Sequence, residues 1–524
     1  MKNCVAVAIV LLFPHWYSLA ASEVVRTKPN ILIVLADDLG FGDMQANNKD
    51  LGKIPTPNMD KLASEGVRFT DAHSSSGCCS PSRYTLLTGR YHWRTRLQSG
   101  IVGVWGKPLI AQDRLTIASM AKTQGYKTAC IGKWHLGNQW AIPTDLESNF
   151  VGFGGKAGGG GEVTTIATDE NRRAWQQVFS QRITGGPTER GFDHYFGTDV
   201  PNWPPYCFID GDKTVGIPDE LLPASKFVKN LSSLQGPALS DWKLENVLPA
   251  LIQRAEQFIE VQAHANQPFL LYLPLTSPHT PLSVNEQFKG KSGLKGDYGD
   301  FVVETDAALG RVMAAVQRAG IEENTLVIFT SDNGCASYIG VKEMEAEGHY
   351  PSGNLRDYKA SVYEGGHRVP FIVKWPGVTP KGTVCDQLVH HADVMATLAE
   401  LLEFKLPDNA AEDSFSMMPL LRGEAQSIRT HAISTACAGT PSLREGPWKL
   451  VLESEKDSTA SVQLFNLNED IGESNNLATK YPDRVKSMQE TLEQIIVKGR
   501  STPGQPQKND IKVVRYPKSA SKKS

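Results

Sequence analysis

From Pro29 onward, short apolar runs alternate with stretches of helical spacing. ILIVLA (Ile31–Ala36) is apolar at every position and too short for a buried helix, so it reads as a buried strand. NMDKLASEG after it has helical spacing, as does LTIASMAKTQGY, which closes at Gly125 and leads into the strand KTACIG. The amphipathic stretch ENVLPALIQRAEQFIEVQA precedes the strand FLLYLP (Phe269–Pro274), and a helix near Asp300–Ala319 precedes the strand TLVIFTSD. PFIVKW and the helical HHADVMATLAELLEF continue the alternation. Strands without a polar face must be covered on both sides. The pattern therefore predicts an α/β fold, a large and mostly parallel sheet sandwiched by helices.

Past about Arg429 the texture changes. AISTAC, WKLVLES and VQLFNLN read as strands joined by turns, and DRVKSMQETLEQIIVKG as a closing helix. This predicts a main unit over 29–428 and a small C-terminal α+β antiparallel-sheet unit over 429–504. Residues 505–524 are polar and Lys-rich and are expected to be a basic flexible tail. The Gly-rich stretch at 141–188 contains GFGGKAGGGGEVTT but lacks the Gly-Lys-Ser/Thr ending of a phosphate loop. It reads as a flexible surface insertion, with a substrate-contacting lid as the alternative.

A chain of 524 residues exceeds the usual single core, which agrees with two packed units. With 54 basic against 57 acidic residues there is no basic footprint for nucleic acid. Lys2, the apolar run VAVAIVLLF and the small residues ending at Ala20 predict a signal peptide over 1–22, hence export to a periplasmic or secreted location. No later segment is long and apolar enough to suggest a membrane span. Of the eight cysteines, Cys4 leaves with the signal and the rest show no CxxC spacing, so no zinc site is expected. One or two disulfides fit an exported chain, but their pairing is not given by the sequence.

In open α/β sheets ligands sit beyond the carboxyl ends of the strands. The strand Ile31–Ala36 runs into Asp37 and Asp38, and TLVIFT runs into Ser-Asp-Asn-Gly, which supplies Asp332 and Asn333. These are hard oxygen ligands, suited to calcium or magnesium rather than zinc. KTACIG ends in Lys133 and His135, FLLYLP runs on to His279, and Lys359 precedes a Gly-Gly turn. Two ammonium groups and two imidazoles at one rim suit a tetrahedral oxyanion beside a cation. In SSGCCSPSRYTLLTGR, Arg83 lies at helical spacing from Cys79, and Pro81 is tolerated in a first turn. Cys79 is thus placed at a helix N-terminus, where free amides favour an anionic oxygen or a thiolate. No cysteine-protease partner accompanies it, and a thiol beside a hard cation makes little chemical sense.

CSPSRYTLLTGR resembles the signature of the type I, formylglycine-dependent sulfatases. ADDLGFGD, GKWHLG, SPHTP, SDNG, the segment from Lys359 to EGGHRVP, LREGPWKLV and GRSTPG follow in the same order as in that family. The resemblance runs from Pro29 to about Gly504 and implies an alkaline-phosphatase-like fold. It implies that a formylglycine-generating maturation enzyme converts Cys79 to 3-oxoalanine, with Cys78 a packing neighbour. It further implies that Asp37, Asp38, Asp332, Asn333 and the converted Cys79 bind one Ca2+ and that Arg83 holds the formylglycine. Lys133, Lys359 and His279 would contact the sulfate, and His135 the second hydroxyl of the hydrate. The expected reaction is hydrolysis of a sulfate monoester, an aryl sulfate or a sulfated sugar or glycan. A phosphate or phosphonate ester hydrolase on the same fold is the alternative. A calcium-dependent sulfoglycan-binding protein without turnover is disfavoured by the intact Cys79, Arg83, His135 and Lys359. In the pocket segment GTDVPNWPPYC no residue is fixed by the resemblance.

Overall fold

The structure, a computed structural model, describes residues 28–151, 166–227, 233–452 and 462–515. The expected signal peptide and the glycine run 152–165 lie outside the described residues.

The large sheet is built from β1 (Asn30–Ala36), β2 (Val67–Phe69), β3 (Lys127–Lys133), β4 (His194–Thr198), β5 (Ile209–Asp210), β6 (Lys213–Thr214), β7 (Phe269–Pro274), β8 (Thr325–Ser331), β9 (Phe371–Lys374) and β10 (Thr383–Cys385). Their order is β10-β2-β9-β8-β1-β7-β3-β4-β5-β6. The centre, β8-β1-β7-β3-β4, is parallel throughout. Every residue of β1, β7 and β8 is buried. The reason is the two-residue period of a strand: Ile31, Ile33 and Leu35 enter one core layer while Leu32, Val34 and Ala36 enter the other.

Helices α1 (Pro57–Glu65), α5 (Val247–His264) and α6 (Tyr298–Arg318) cover one face, with Met59, Leu251 and Leu309 in the core. Helices α2 (Cys79–Thr88), α3 (Ile117–Thr123) and α7 (Asp393–Leu401) cover the other, with Leu86, Met120 and Leu398. PFIVKW, read as one more strand of the alternation, is β9 and runs antiparallel to β8. A parallel neighbour would need a long crossover to the opposite end of the sheet. The chain between β8 and β9 holds only the short helices Val341–Ala346 and Glu364–His367, and it re-enters from the rim it left.

A second sheet follows, with β11 (His431–Thr435), β12 (Pro441–Glu445), β13 (Trp448–Leu452) and β14 (Val462–Asn466) in antiparallel sequence order. Helix α8 (Pro482–Lys498) packs on it through Met488, Leu492 and Ile496, and Tyr91 and Trp93 from the large unit join the same cluster.

Two expectations need correction. Residues 505–515 are not a free tail. Arg90 donates to Asp510 at 2.9 Å, Arg94 donates to Asn509 at 2.9 Å, and Val513 is buried with α8. Buried guanidinium groups demand partners, and this segment supplies some of them. Likewise 166–188 is not a loose surface insertion. It carries α4 (Asp169–Phe179), capped by Thr168, whose hydroxyl accepts from Asn171 N at 3.2 Å. Trp175 is fully buried, and Phe179 packs against the rings of Trp105, Trp140 and Phe150. Its aromatic residues outweigh the glycine-rich texture that suggested a loop. Among the described residues no helix is long and apolar enough to cross a membrane.

Candidate active site at the carboxyl rim of the sheet

The ladder between β1 and β8 sets Ala36 opposite Ser331, so the residues that follow emerge side by side. Asp37, Asp38, Asp332 and Asn333 are all buried there. Asp38 N donates to Asp332 Oδ1 at 3.1 Å, and Asn333 Nδ2 donates to Asp38 Oδ1 at 2.7 Å. Lys133 ends β3 and donates to both Asp37 oxygens, at 3.0 and 2.7 Å. Gly132 just before it has φ +139, and a Cβ there would lie 1.8 Å from Pro274 O, so only glycine lets β3 run this close to β7. Asp38 and His135 both sit at positive φ, 65° and 53°, a strain that the surrounding bonds must hold.

Cys79 opens α2. Cys78 is its N-cap, Pro81 occupies the first turn where no N–H is needed, and Gly89 closes the helix at φ 64 with its N–H on Thr85 O. All of α2 is buried, including Arg83. The Arg83 guanidinium donates to Asp332 Oδ2 at 2.7 Å and to Lys133 O at 3.1 Å, and lies 3.2 Å from Asp37 Oδ1. Its direct partners are thus two carboxylates and the Lys133 carbonyl. Lys359 Nζ donates to Asp38 at 2.6 and 2.7 Å and lies 3.6 Å from Cys79 Sγ. His279 Nε2 is 3.6 Å from Asp38 Oδ2, while its Nδ1 pairs with Thr280 O. Ligand atoms of Asp37, Asp38, Cys79 and His279 all fall within 4.8 Å of one another. Asn333 Oδ1 is buried with no partner.

Burial would raise the Asp37 carboxyl, but Lys133, His279, Arg83 and Lys359 outweigh it and hold it well below the carboxylate range. For Asp332 burial wins over Arg83 and raises it to about 6. Burial pushes the Cys79 thiol up to about 12, so an unmodified Cys79 is a neutral thiol and a poor nucleophile. Burial lowers His279 to about 4 and, with Lys133 and Arg83, drives His135 well below its usual value. Burial would lower Lys359, but Asp38, with smaller help from Cys79, Tyr338 and Asp37, outweighs it and raises the ammonium well above the ordinary lysine value.

Several partners were not legible in the sequence. His135 Nε2 pairs with Val102 O at 3.1 Å, which places its proton on Nε2 and leaves the buried Nδ1 as an unpartnered acceptor. The His135 backbone N is fixed by Asp199 through its carbonyl at 3.0 Å and its carboxylate at 3.2 Å. The Trp203 ring meets the His135 ring edge-on at 5.5 Å. Asp199 directly follows β4, so the rule that polar residues gather at strand ends, applied to GTDVPNWPPYC, points to it. Cys78, expected to be a packing neighbour only, is disulfide-bonded to Cys437. Nothing local marks a partner so far away in sequence.

A sulfatase family model matches residues 29–404, and one described as N-sulphoglucosamine sulphohydrolase, C-terminal, matches 356–500. The N-acetylgalactosamine-6-O-sulfatase of Bacteroides thetaiotaomicron is 32% identical over 493 residues, covering 89% of this chain and 93% of that protein. Arylsulfatase A of Bos taurus is 31% identical over 492 residues, covering 88% and 85%. A solved sulfatase from a study of glycosaminoglycan metabolism by Bacteroides thetaiotaomicron superposes with a TM-score of 0.74 at 29% identity, covering 89% of this chain and 99% of that one. With a family model spanning most of the chain and relatives similar along nearly its whole length, the chain belongs to the sulfatase family and is a sulfuric-ester hydrolase.

Proposed function

We propose that the protein hydrolyses the sulfate monoester of a sulfated sugar, using a formylglycine made from Cys79 and one calcium ion held by Asp37, Asp38, Asp332 and Asn333. The observation that carries this reading is Asn333 Oδ1, buried without a partner among three carboxylates. A bare buried acceptor costs about 1–3 kcal/mol, and a hard cation at that place would satisfy it together with its acidic neighbours. When bound, calcium supplies positive charge beside the nucleophilic oxygen, and the formylglycine hydrate supplies that oxygen and a second hydroxyl through which sulfate can leave.

The chain's own groups have distinct tasks. Arg83 ties Asp37 to Asp332 and keeps the ligand carboxylates in register. Lys133 and Lys359, fixed on Asp37 and Asp38, present cationic charge to the sulfuryl oxygens. For the leaving oxygen, Lys359 carries its proton at rest while burial keeps His279 neutral, which favours Lys359 as donor and His279 as a sulfate contact. His135, with its proton committed to Val102 O, offers Nδ1 as the base for the second hydroxyl. An unmodified serine or cysteine has no second hydroxyl and could not regenerate itself by elimination.

The names of the relatives favour a sulfated hexosamine of the glycosaminoglycan type, and the N-terminal sequence favours an exported enzyme that meets a maturation enzyme on the way. The test is sulfate release from N-acetylgalactosamine 6-sulfate and an aryl sulfate, beside the matching phosphate esters. Sulfate esters should be turned over far faster. Preference for the phosphate esters would overturn the reading.

A further inference from the structure

The residue before the nucleophile position belongs to a junction that also involves Lys359 and His135. Cys78 is bonded to Cys437, at a sequence separation of 359 residues. Cys437 sits in the turn between β11 and β12, closed by Ala436 N on Thr440 O at 2.8 Å. Around this bond four backbone hydrogen bonds converge. Gly77 N donates to Thr435 O at 2.9 Å, Ala360 N to Gly77 O at 2.7 Å, Cys437 N to Ala360 O at 3.0 Å, and Gly100 N to Cys437 O at 2.6 Å. Gly77 and Cys78 lead into Cys79, Ala360 follows Lys359, and Gly100 leads to Val102, the acceptor that orients His135. Two features make the junction exacting. Ala360 is held at φ 74, where alanine is strained, and a Cβ on Gly77 would lie 2.7 Å from Ser361 O.

We propose that the Cys78–Cys437 disulfide is a positioning element of the active site, a covalent pin that holds the C-terminal hairpin turn against the segments carrying the nucleophile, Lys359 and the His135 acceptor. The proposal rests on the reading of Cys79 as the nucleophile position. Noncovalent contacts also tie the hairpin to these segments: Ser434 Oγ donates to Ser74 O at 2.7 Å, Thr435 N donates to Ser75 O at 3.0 Å, and Ala436 clusters with Val362 and Tyr363. At the turn itself, where Cys437 is half-buried and Ala438 exposed, single backbone hydrogen bonds and the disulfide make the connection. A displacement of about 1 Å between nucleophile and charge-stabilising groups costs up to about a hundredfold in rate. The bond also closes a very long loop and so stabilises the fold, and the measurement has to separate the two roles.

The experiment uses the full-length enzyme with Cys79 converted. Peptide mapping without reductant should find the Cys78 peptide linked to the Cys437 peptide. The turnover of Cys437→Ser, which leaves the segment around Cys79 unaltered, is then measured per mole of formylglycine at a temperature where circular dichroism shows a full fold. In parallel, the parent enzyme is treated with dithiothreitol, whose two thiols give up two electrons and two protons to release free Cys78 and Cys437, and is then reoxidised. We expect kcat to fall by about tenfold to a hundredfold with KM within about threefold, and to recover on reoxidation. Free thiols at both positions in the parent enzyme would overturn the proposal. So would unchanged kcat in Cys437→Ser and in the reduced enzyme, which would make the bond a stabilising staple alone. If Cys437→Ser does not fold, the reduced parent decides. A parent enzyme that releases no sulfate would instead refute the nucleophile assignment.

Discussion

Among the described residues two buried clusters gather acids and imidazoles closely enough to resemble metal sites, and they are built on different principles. At the rim, Asp37, Asp38 and Asp332 meet Arg83, Lys133 and Lys359, with Asn333 Oδ1 left bare. Between the large unit and the second sheet, His73, Glu364 and His367 lie with ligand atoms within 4.8 Å of one another. There an ammonium already occupies the middle: Lys449 Nζ is 2.9 Å from Glu364, 2.8 Å from Glu473 and 3.3 Å from His367 Nε2. Arg444 and Arg368 reach Asp71 at 2.8 and 3.4 Å. Counting candidate ligands does not separate the two clusters. Cations are present in both, and the difference is that Asn333 Oδ1 at the rim is left bare while two acids and an imidazole of the second cluster converge on the single ammonium of Lys449. On the proposed reading the first cluster receives a cation, whereas the second joins two sheets.

The contrast can be broken or sharpened by substitution. The largest effect is expected for Asp37→Asn, which keeps volume but removes a ligand charge. Bound calcium, read by atomic emission, should be lost and kcat/KM should fall by about 10³-fold. Calcium content equal to the parent's would place the ion elsewhere. Next, Lys359→Ala should lower kcat by about 10²-fold in steady-state assays with a folded, calcium-loaded enzyme. Near-parental turnover would make Lys359 a structural partner of Asp38. In the second cluster the order of effects reverses. Lys449→Ala leaves Glu473 buried without its cation and Glu364 with Arg368 alone, and should cost about 3–5 kcal/mol in denaturant unfolding, with kcat per folded molecule little changed. A large loss of kcat with parental stability would show that the two clusters are not separable in this way. The smallest effect is expected on deleting residues 505–524. Loss of the Asp510 and Asn509 contacts to Arg90 and Arg94, and of Val513 packing, should lower stability by about 1–3 kcal/mol. A melting temperature equal to the parent's would return that segment to the status of a free tail.

The rim was legible because it is written by local rules. β1 and β8 are continuous apolar runs, and the first polar residues after them must surface at the carboxyl end of a parallel sheet, which exposes Asp37, Asp38, Asp332 and Asn333 as a set. Lys133 follows from the same rule. Lys359 and His279 lie in irregular chain beyond their strands, and their tasks came from family resemblance rather than from periodicity. The remainder is long-range. Val102 O and Asp199 fix His135 through backbone groups, and no pattern in one stretch announces a carbonyl acceptor from another. Cys437 has no local feature that selects Cys78. The reversed direction of β9 depends on where the intervening chain runs, and the order of residues 505–515 depends on two buried arginines elsewhere. The composition of that segment is basic and polar, yet Asn509, Asp510 and Val513 are among the residues that tie it to the fold.

The central claim is that Cys79 acts as something other than a thiol, and mass spectrometry of its peptide tests this most directly. Protein should be expressed in a host that performs the conversion, shown to release sulfate, and digested without reductant. The peptide spanning Cys79 should have lost the mass that separates a thiol side chain from an aldehyde and should react with a hydrazide. A preparation that turns over sulfate esters while every Cys79 remains an intact thiol would contradict the account.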